Sequence, residues 1–186
     1  MDAELVERAG RGDSRAQEHL VRQLTPRLLR LALRLGCDAE SAEDIVSDTL
    51  YRGITKLRNL RDRSAVAGWF SRILVNAWRD RLRSRKRDLS LEDLAHEPQV
   101  PASLAPEEVV VEKELRERLG DALGALPPAQ RAVLALHIDE GFSVSEIADA
   151  LRSTPERVKA NLWHGRRRLR RLLGGLLGRE FQEEQP

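Results

Sequence analysis

The sequence predicts an all-α protein of two small helical domains joined by a flexible acidic linker. Three observations carry this. Leu (30), Arg (28) and Ala (20) dominate a chain of 186 residues whose aromatic content is 4%, so helix formers abound and strand formers are sparse. Apolar residues recur at steps of three and four in both halves. Between the halves, residues 86–108 carry Pro98, Pro101 and Pro106 and no sustained helical period, which reads as a partly extended linker. The expected division is 1–86, a linker at 87–107, a second domain at 108–178 and a fraying tail at 179–186.

Composition excludes several classes. At 41% hydrophobic and 33% charged, the chain can bury real cores and is not disordered on average. No apolar run reaches the ~18 residues of a membrane span. The N-terminus, MDAELVERAGRGD, shows no secretory signal. Cys37 is the single cysteine, which excludes an internal disulfide and fits the cytoplasm. A buried structural thiol is the expected role there, with redox sensing the alternative. His19, His96, His137 and His164 are scattered. No metal-ligand spacing, nucleophile motif or phosphate-binding loop stands out. The sequence therefore predicts a protein that is not an enzyme and needs no cofactor or metal.

The net charge of +2 is the sum of opposed blocks. Asp38 to Tyr51 holds five acids and no Lys or Arg. Arg52 to Arg87 is net +10, Asp88 to Glu112 is net −7, and Arg152 to Arg171 is net +7. Two basic blocks separated by an acidic strip suit two contacts with a polyanion, of which nucleic acid is the commonest. A single such block is equally well a solvated helix face.

In the first half, Leu20, Leu24, Leu28, Leu31 and Leu35 predict a helix over about 14–36, with Pro26 a candidate kink and Gly36 its end. Asp38 or Ser41 can cap the next helix, which buries Ala42, Ile45, Val46, Leu50, Ile54 and Leu57. Asp44 and Asp48 share its exposed face, one turn apart. A third helix starts at Ser64 and buries Val66, Trp69, Phe70, Ile73, Leu74, Ala77, Trp78 and Leu82. Arg72, Asn76, Arg79 and Arg83 form another stripe, extended by Arg85, Lys86 and Arg87. Guanidinium groups in a row form a phosphate-tracking surface. Trp69 and Trp78 lie in the apolar stripe, where core packing outweighs base stacking. The preceding loop, with Asn59, Arg61, Asp62, Arg63 and Ser64, carries polar side chains of the kind that read unstacked bases.

In the second half, Leu115, Leu119, Leu123 and Leu126 predict a helix stopped by Pro127-Pro128. A second carries Ala132, Val133, Leu136 and His137 and ends at Gly141. Ser143 and Glu146 then have capping-box spacing ahead of a short helix with Ile147, Ala148 and Leu151. Arg152 and Ser153 make a turn, Thr154 caps, and Pro155 takes the first helical position. Val158, Leu162, Leu169 and Leu172 bury the last helix, leaving Arg157, Lys159, Asn161 and His164 off that stripe. A short helix, a turn and a basic second helix is the layout of a helix-turn-helix that enters a major groove. An ordinary α-hairpin with a charged edge is the bland alternative.

Taken together, the chain resembles bacterial RNA polymerase sigma factors of the extracytoplasmic-function type. AEDIVSDTLYRGITKL (42–57) looks like that family's core-polymerase-binding helix. GWFSRILVNAWRDRLRSRKR (68–87) looks like its −10 recognition helix. LPPAQRAVLALHIDEGFSVSEIADAL, then RVKANLWHGRRRLRRLL, within 126–173, look like its −35-binding domain. The resemblance implies a domain-2-like bundle and a domain-4-like helix-turn-helix. It places Asp44, Ser47 and Asp48 on the β′ clamp helices. It places Asn59, Arg61, Asp62, Arg63, Arg72, Asn76, Arg79, Arg83, Arg85 and Lys86 on −10 DNA. It places Ser143, Thr154, Arg157, Lys159, Asn161 and His164 on the −35 element. The implied partners are core RNA polymerase, at its β′ clamp helices and β flap, promoter DNA and an anti-sigma factor. The implied function is promoter recognition, melting and initiation as a non-catalytic subunit. Extended, a 23-residue linker spans roughly 75–80 Å, enough for two turns of duplex at about 70 Å. Arg152 stands where the family usually has Gly, and Arg157, Asn161 and His164-Gly165 also depart from its pattern. A stand-alone helix-turn-helix regulator is the alternative. It leaves the acidic helix and the second basic domain unexplained and predicts tight operator binding without polymerase. A helical adaptor using the acidic face is a third possibility, without promoter-specific effect.

Overall fold

The computed structural model describes residues 2–88 and 120–174, the side chains of 85–88 excepted, and contains no strand among them. The acidic linker, His96, the leucines at 115 and 119, and the tail lie outside the described residues. The helices are α1 (Ala3–Gly10), α2 (Ser14–Arg34), α3 (Ala39–Lys56), α4 (Val66–Asp88), a turn α5 at 120–124, α6 (Pro128–Ile138), α7 (Val144–Leu151) and α8 (Pro155–Leu173).

Short polar side chains start α1, α2, α3, α7 and α8, as N-caps do when they accept from otherwise orphaned amides. Asp13 accepts from the amides of Arg15 and Ala16 at the head of α2, and Asp38 from Ser41 at the head of α3. Of the two candidates for the α3 cap, Asp38 is therefore the one used. α2 runs to Arg34 with Pro26 inside it, and Gly36 follows with φ +89, a left-handed turn that glycine adopts without a Cβ penalty. α4 starts at Val66 rather than Ser64. A 3-10 turn at Arg63–Ala65, capped by Asp62, takes the first positions because the Asp62 carboxylate holds both the amide and the hydroxyl of Ser64.

The first core is the one the leucine spacing predicts. Leu20, Leu24, Leu28, Ile45, Val66, Phe70, Leu74 and Val75 are fully buried. Gly53 of α3 faces the Phe70 ring so closely that any Cβ there would overlap it. Trp78 is buried, and Trp69 packs edge-on to Phe70 with centroids 5.3 Å apart. In the second half Leu126, Leu134, Leu136, Ile147, Val158 and Leu162 form the core. Leu172 departs from expectation at 40% exposed. Gly165 instead brings α8 against Leu134, whose Cδ1 lies 2.9 Å from where a Cβ would sit.

The two halves are not independent bodies on a tether. Their buried residues form one contiguous hydrophobic cluster, with α2 packed on α6 and α4 on α7. Phe142 is buried in this junction, where its ring contacts Gly68. Arg131 is also buried there at 4% exposure, its guanidinium lying over Gly36.

Candidate nucleic-acid interface

Three surfaces carry the residues singled out from sequence. On α3, Asp44 and Ser47 are exposed, and Asp48 is half-buried and pairs with Arg52 at 2.8 Å, one turn on. Tyr51, 75% exposed, extends this face with an aromatic ring that sequence reading passed over. Because α3 packs on α2 and α4 through Ala42, Ile45, Val46 and Thr49, its acidic side is left outward by helical period alone.

The second surface is the loop and α4. Asn59, Arg61, Asp62 and Ser64 are exposed and Arg63 is half-buried. The Asp62 carboxyl is held below its usual range, first by the Ser64 hydroxyl and then by the Ser64 amide, so the loop enters α4 with its charge fixed. Arg72, Asn76, Arg79 and Arg83 do share one side of α4, but only Arg83 is exposed. Arg72, Asn76 and Arg79 are half-buried. Arg72 pairs with Glu146 of α7 at 3.0 Å and lies 5.3 Å over the Phe142 ring. Arg79 donates to the Ala150 carbonyl at 3.5 Å. Burial and the neighbouring Arg83 and Arg152 lower its pKa. Asn76 uses its amide on the Arg72 carbonyl at 3.0 Å. The side chains of Arg85, Lys86 and Arg87 lie outside the described residues.

The third surface is the helix-turn-helix. Ser143 and Glu146 form the expected capping box, with both reciprocal bonds present. Hydrogen bonds from the Ser143 amide and hydroxyl, aided by Arg72, lower the Glu146 pKa. Arg152 ends α7 with φ 45, a left-handed residue where glycine is the cheapest choice. Thr154 caps α8 by accepting from the Arg157 amide, with Pro155 next. Arg157, Lys159 and His164 are exposed on α8, while Asn161 is half-buried and bonded to the Arg157 carbonyl at 2.8 Å. Trp163, missed from sequence, is 57% exposed beside them, edge-on to His164 and under the Arg167 guanidinium at 5.3 Å. An exposed aromatic on a helix whose partners are charged is a signal only once burial is known.

Two family models match the chain in the order these surfaces follow. Sigma-70 region 2 matches residues 20–88, and Sigma-70 region 4 matches 116–169. The chain is 33% identical over 179 residues to the extracytoplasmic-function RNA polymerase sigma factor SigM of Mycobacterium tuberculosis, covering 94% of this chain and 86% of that one. The chain belongs to the RNA polymerase sigma factors of the extracytoplasmic-function type. It is 28% identical to the sigma-H factor of Pseudomonas aeruginosa, covering 95% of each. Its fold is similar to that of the sigma factor RpoE of Bartonella quintana in complex with the anti-sigma factor NepR. There the TM-score is 0.67 at 24% identity, covering 84% of this chain and 96% of that one.

In this sigma factor, region 2 thus takes in α2 to α4 and region 4 takes in α5 to α8. Region 4 sits on the side of region 2 that carries Arg72 and Arg79. Among the described residues no cluster of three or more His, Cys, Asp or Glu is placed to hold a metal ion, and no helix is long and apolar enough to cross a membrane.

Proposed function

We propose that this sigma factor docks on core RNA polymerase through the acidic face of α3 and reads promoters through α4 with its preceding loop and through α8. The observation that carries this is the order of parts. An outward acidic helix, an arginine-bearing helix and a capped helix-turn-helix follow one another within the two matched sigma regions. Asp44, Ser47 and Asp48 are the contacts for a basic clamp-helix surface on β′, and the helix-turn-helix end faces the β flap. Asn59, Arg61, Asp62, Arg63, Arg72, Asn76, Arg79, Arg83, Arg85 and Lys86 serve the −10 strand. Arg157, Lys159, Asn161 and His164 reach the −35 groove from the start of α8, while Ser143 and Thr154 hold the helix ends that sit against backbone phosphates.

Strand opening needs no nucleotide hydrolysis in this scheme. Captured, unstacked bases and phosphate contacts offset an unstacking cost of about a few kcal/mol. Polymerisation belongs to the core enzyme, which places the chain in the cytoplasm as a non-catalytic subunit. Likeness to a sigma factor solved in complex with an anti-sigma factor supports an anti-sigma partner here as well.

Gel filtration with core polymerase tests the reading. The wild-type chain co-elutes, and the double variant Asp44→Arg/Asp48→Arg does not. A wild-type chain that stays free of the core would overturn it and favour a stand-alone helix-turn-helix regulator.

A further inference from the structure

The place of Cys37 is fixed by the way α2 ends. Gly36 takes φ +89, its amide donates to the Leu33 carbonyl at 2.9 Å, and the Cys37 amide donates to the Ala32 carbonyl at 3.2 Å. This pair of bonds closes a helix C-terminus and holds the residue after the glycine against the last turn. Cys37 accordingly packs on the hydrophobic cluster. It is half-buried, not the fully buried thiol expected from sequence.

Arg131 of α6 lies over this turn and is 4% exposed. Its Nη2 donates to the Leu126 carbonyl at 3.2 Å, while Nε and Nη1 have no hydrogen-bond partner among the described residues. Nη1 lies so close to Gly36 that any Cβ there would overlap it. Burial lowers the Arg131 pKa, and the charge of Cys37 works against that. Buried donors without acceptors are costly and rare in folded proteins. The thiol and the guanidinium are complementary in chemistry. A fixed cation favours a thiolate over a thiol, and unpaired N–H donors favour an oxygen placed on the sulfur.

We propose that Cys37 is a modification site, oxidised by hydroperoxides to the sulfenic acid, with Arg131 as its cationic partner. The thiolate sulfur attacks one peroxide oxygen. An S–O bond forms, the O–O bond breaks, and the other oxygen leaves as hydroxide and is protonated to water. Sulfur gives up two electrons and the peroxide takes them. The oxygen on sulfur then accepts from the Arg131 nitrogens that have no other partner. Cys37 is the single cysteine of the chain, so no internal disulfide can follow and the sulfenic acid is the product to trap. The inference does not depend on which surfaces meet DNA. An ordinary thiol is only a few per cent thiolate at pH 7. Full ionisation would speed attack about thirtyfold, and the lower nucleophilicity of a stabilised thiolate reduces the gain to about tenfold.

The test uses the full chain, reduced, at pH 7. Hydrogen peroxide is added, dimedone traps the sulfenic acid, and mass spectrometry follows the adduct at Cys37. The same reaction in concentrated urea gives the rate of the thiol with full access and no Arg131 beside it. The folded chain is expected to react about tenfold faster than the unfolded one, although its sulfur is less accessible. Arg131→Met keeps the bulk of the side chain without its charge, and is expected to fall to the unfolded rate or below. Arg30→Met removes a charge from an exposed position on α2 and is expected to keep the wild-type rate. Circular dichroism checks that each variant keeps its helix content. A folded wild type that reacts no faster than the unfolded chain overturns the proposal, whether or not Arg131→Met folds. A folded Arg131→Met that keeps the wild-type rate overturns it as well, since an arginine with a packing role alone would alter the melting temperature and leave the rate unchanged.

Discussion

Arg72 of α4 and Glu146 of α7 meet at 3.0 Å across the junction of the two regions. Glu146 is also the third residue of α7, and its second carboxylate oxygen accepts from the Ser143 amide and hydroxyl at 3.0 and 2.8 Å. One side chain therefore closes a helix cap and ties the helix-turn-helix to the helix proposed to read −10 DNA.

The pH dependence of this arrangement follows from its sign. The folded Glu146 pKa lies below its ordinary value of 4.5, chiefly because of Ser143. A depressed carboxylate contributes stability that is fully present above the unfolded value and lost as pH falls through the folded one. Thermal melts from pH 7 to pH 3 should show the wild type losing more stability below about pH 4.5 than Glu146→Gln does. Equal losses would show that the cap carries no such linkage. At pH 7, Ser143→Ala should cost about 1 kcal/mol.

Gly53 tests the packing of α3 on α4. A Cβ there overlaps the Phe70 ring, so Gly53→Ala should destabilise by about 1–3 kcal/mol through overpacking, despite the better helix propensity of Ala. Gly10→Ala is the contrast. Its nearest neighbour lies at an ordinary 3.6 Å, and urea melts should show little change or a small gain.

Arg152 carries two burdens that glycine would remove. It holds φ 45, and its charge bears on the partly buried Arg79. Arg152→Gly should raise stability by about 1 kcal/mol through relief of the left-handed backbone alone, and Arg152→Val should lower it. Differential scanning calorimetry of the three chains checks the order.

Much of this architecture was legible in the residues themselves. Leu20, Leu24 and Leu28 announce the buried face of α2, and Ser143 with Glu146 announces the start of α7, because periodicity and capping are local. The relation between the halves was not legible. Nothing in the local pattern around Asp139, Glu140 or Arg131 marks these residues. Their partners, Arg34, Arg27 and Gly36, are about a hundred residues away in the chain. The same distance hid the cover over Arg72 and Arg79, since a stripe on one helix says nothing of what packs on it. Trp163 escaped notice because an aromatic beside Leu162 reads as core, whereas helical period turns it outward to 57% exposure.

On α8, Lys159 and Arg157 are the exposed cations nearest the cap. Assigned to phosphate, Lys159→Ala should weaken holoenzyme binding across promoters alike and reduce the salt slope by about one. A change of sequence preference without a change of slope would instead assign Lys159 to a base edge. Filter binding over a salt series separates the two.

The central claim is that this chain directs core polymerase to promoters. It is tested most directly by transcribing sheared genomic DNA of the source organism with core polymerase, with and without the chain, and mapping the 5′ ends. The account predicts new start sites that share two sequence elements about two helical turns apart and that vanish with Asp44→Arg/Asp48→Arg. Start sites identical with and without the chain, under conditions where it binds duplex DNA by itself, would contradict it.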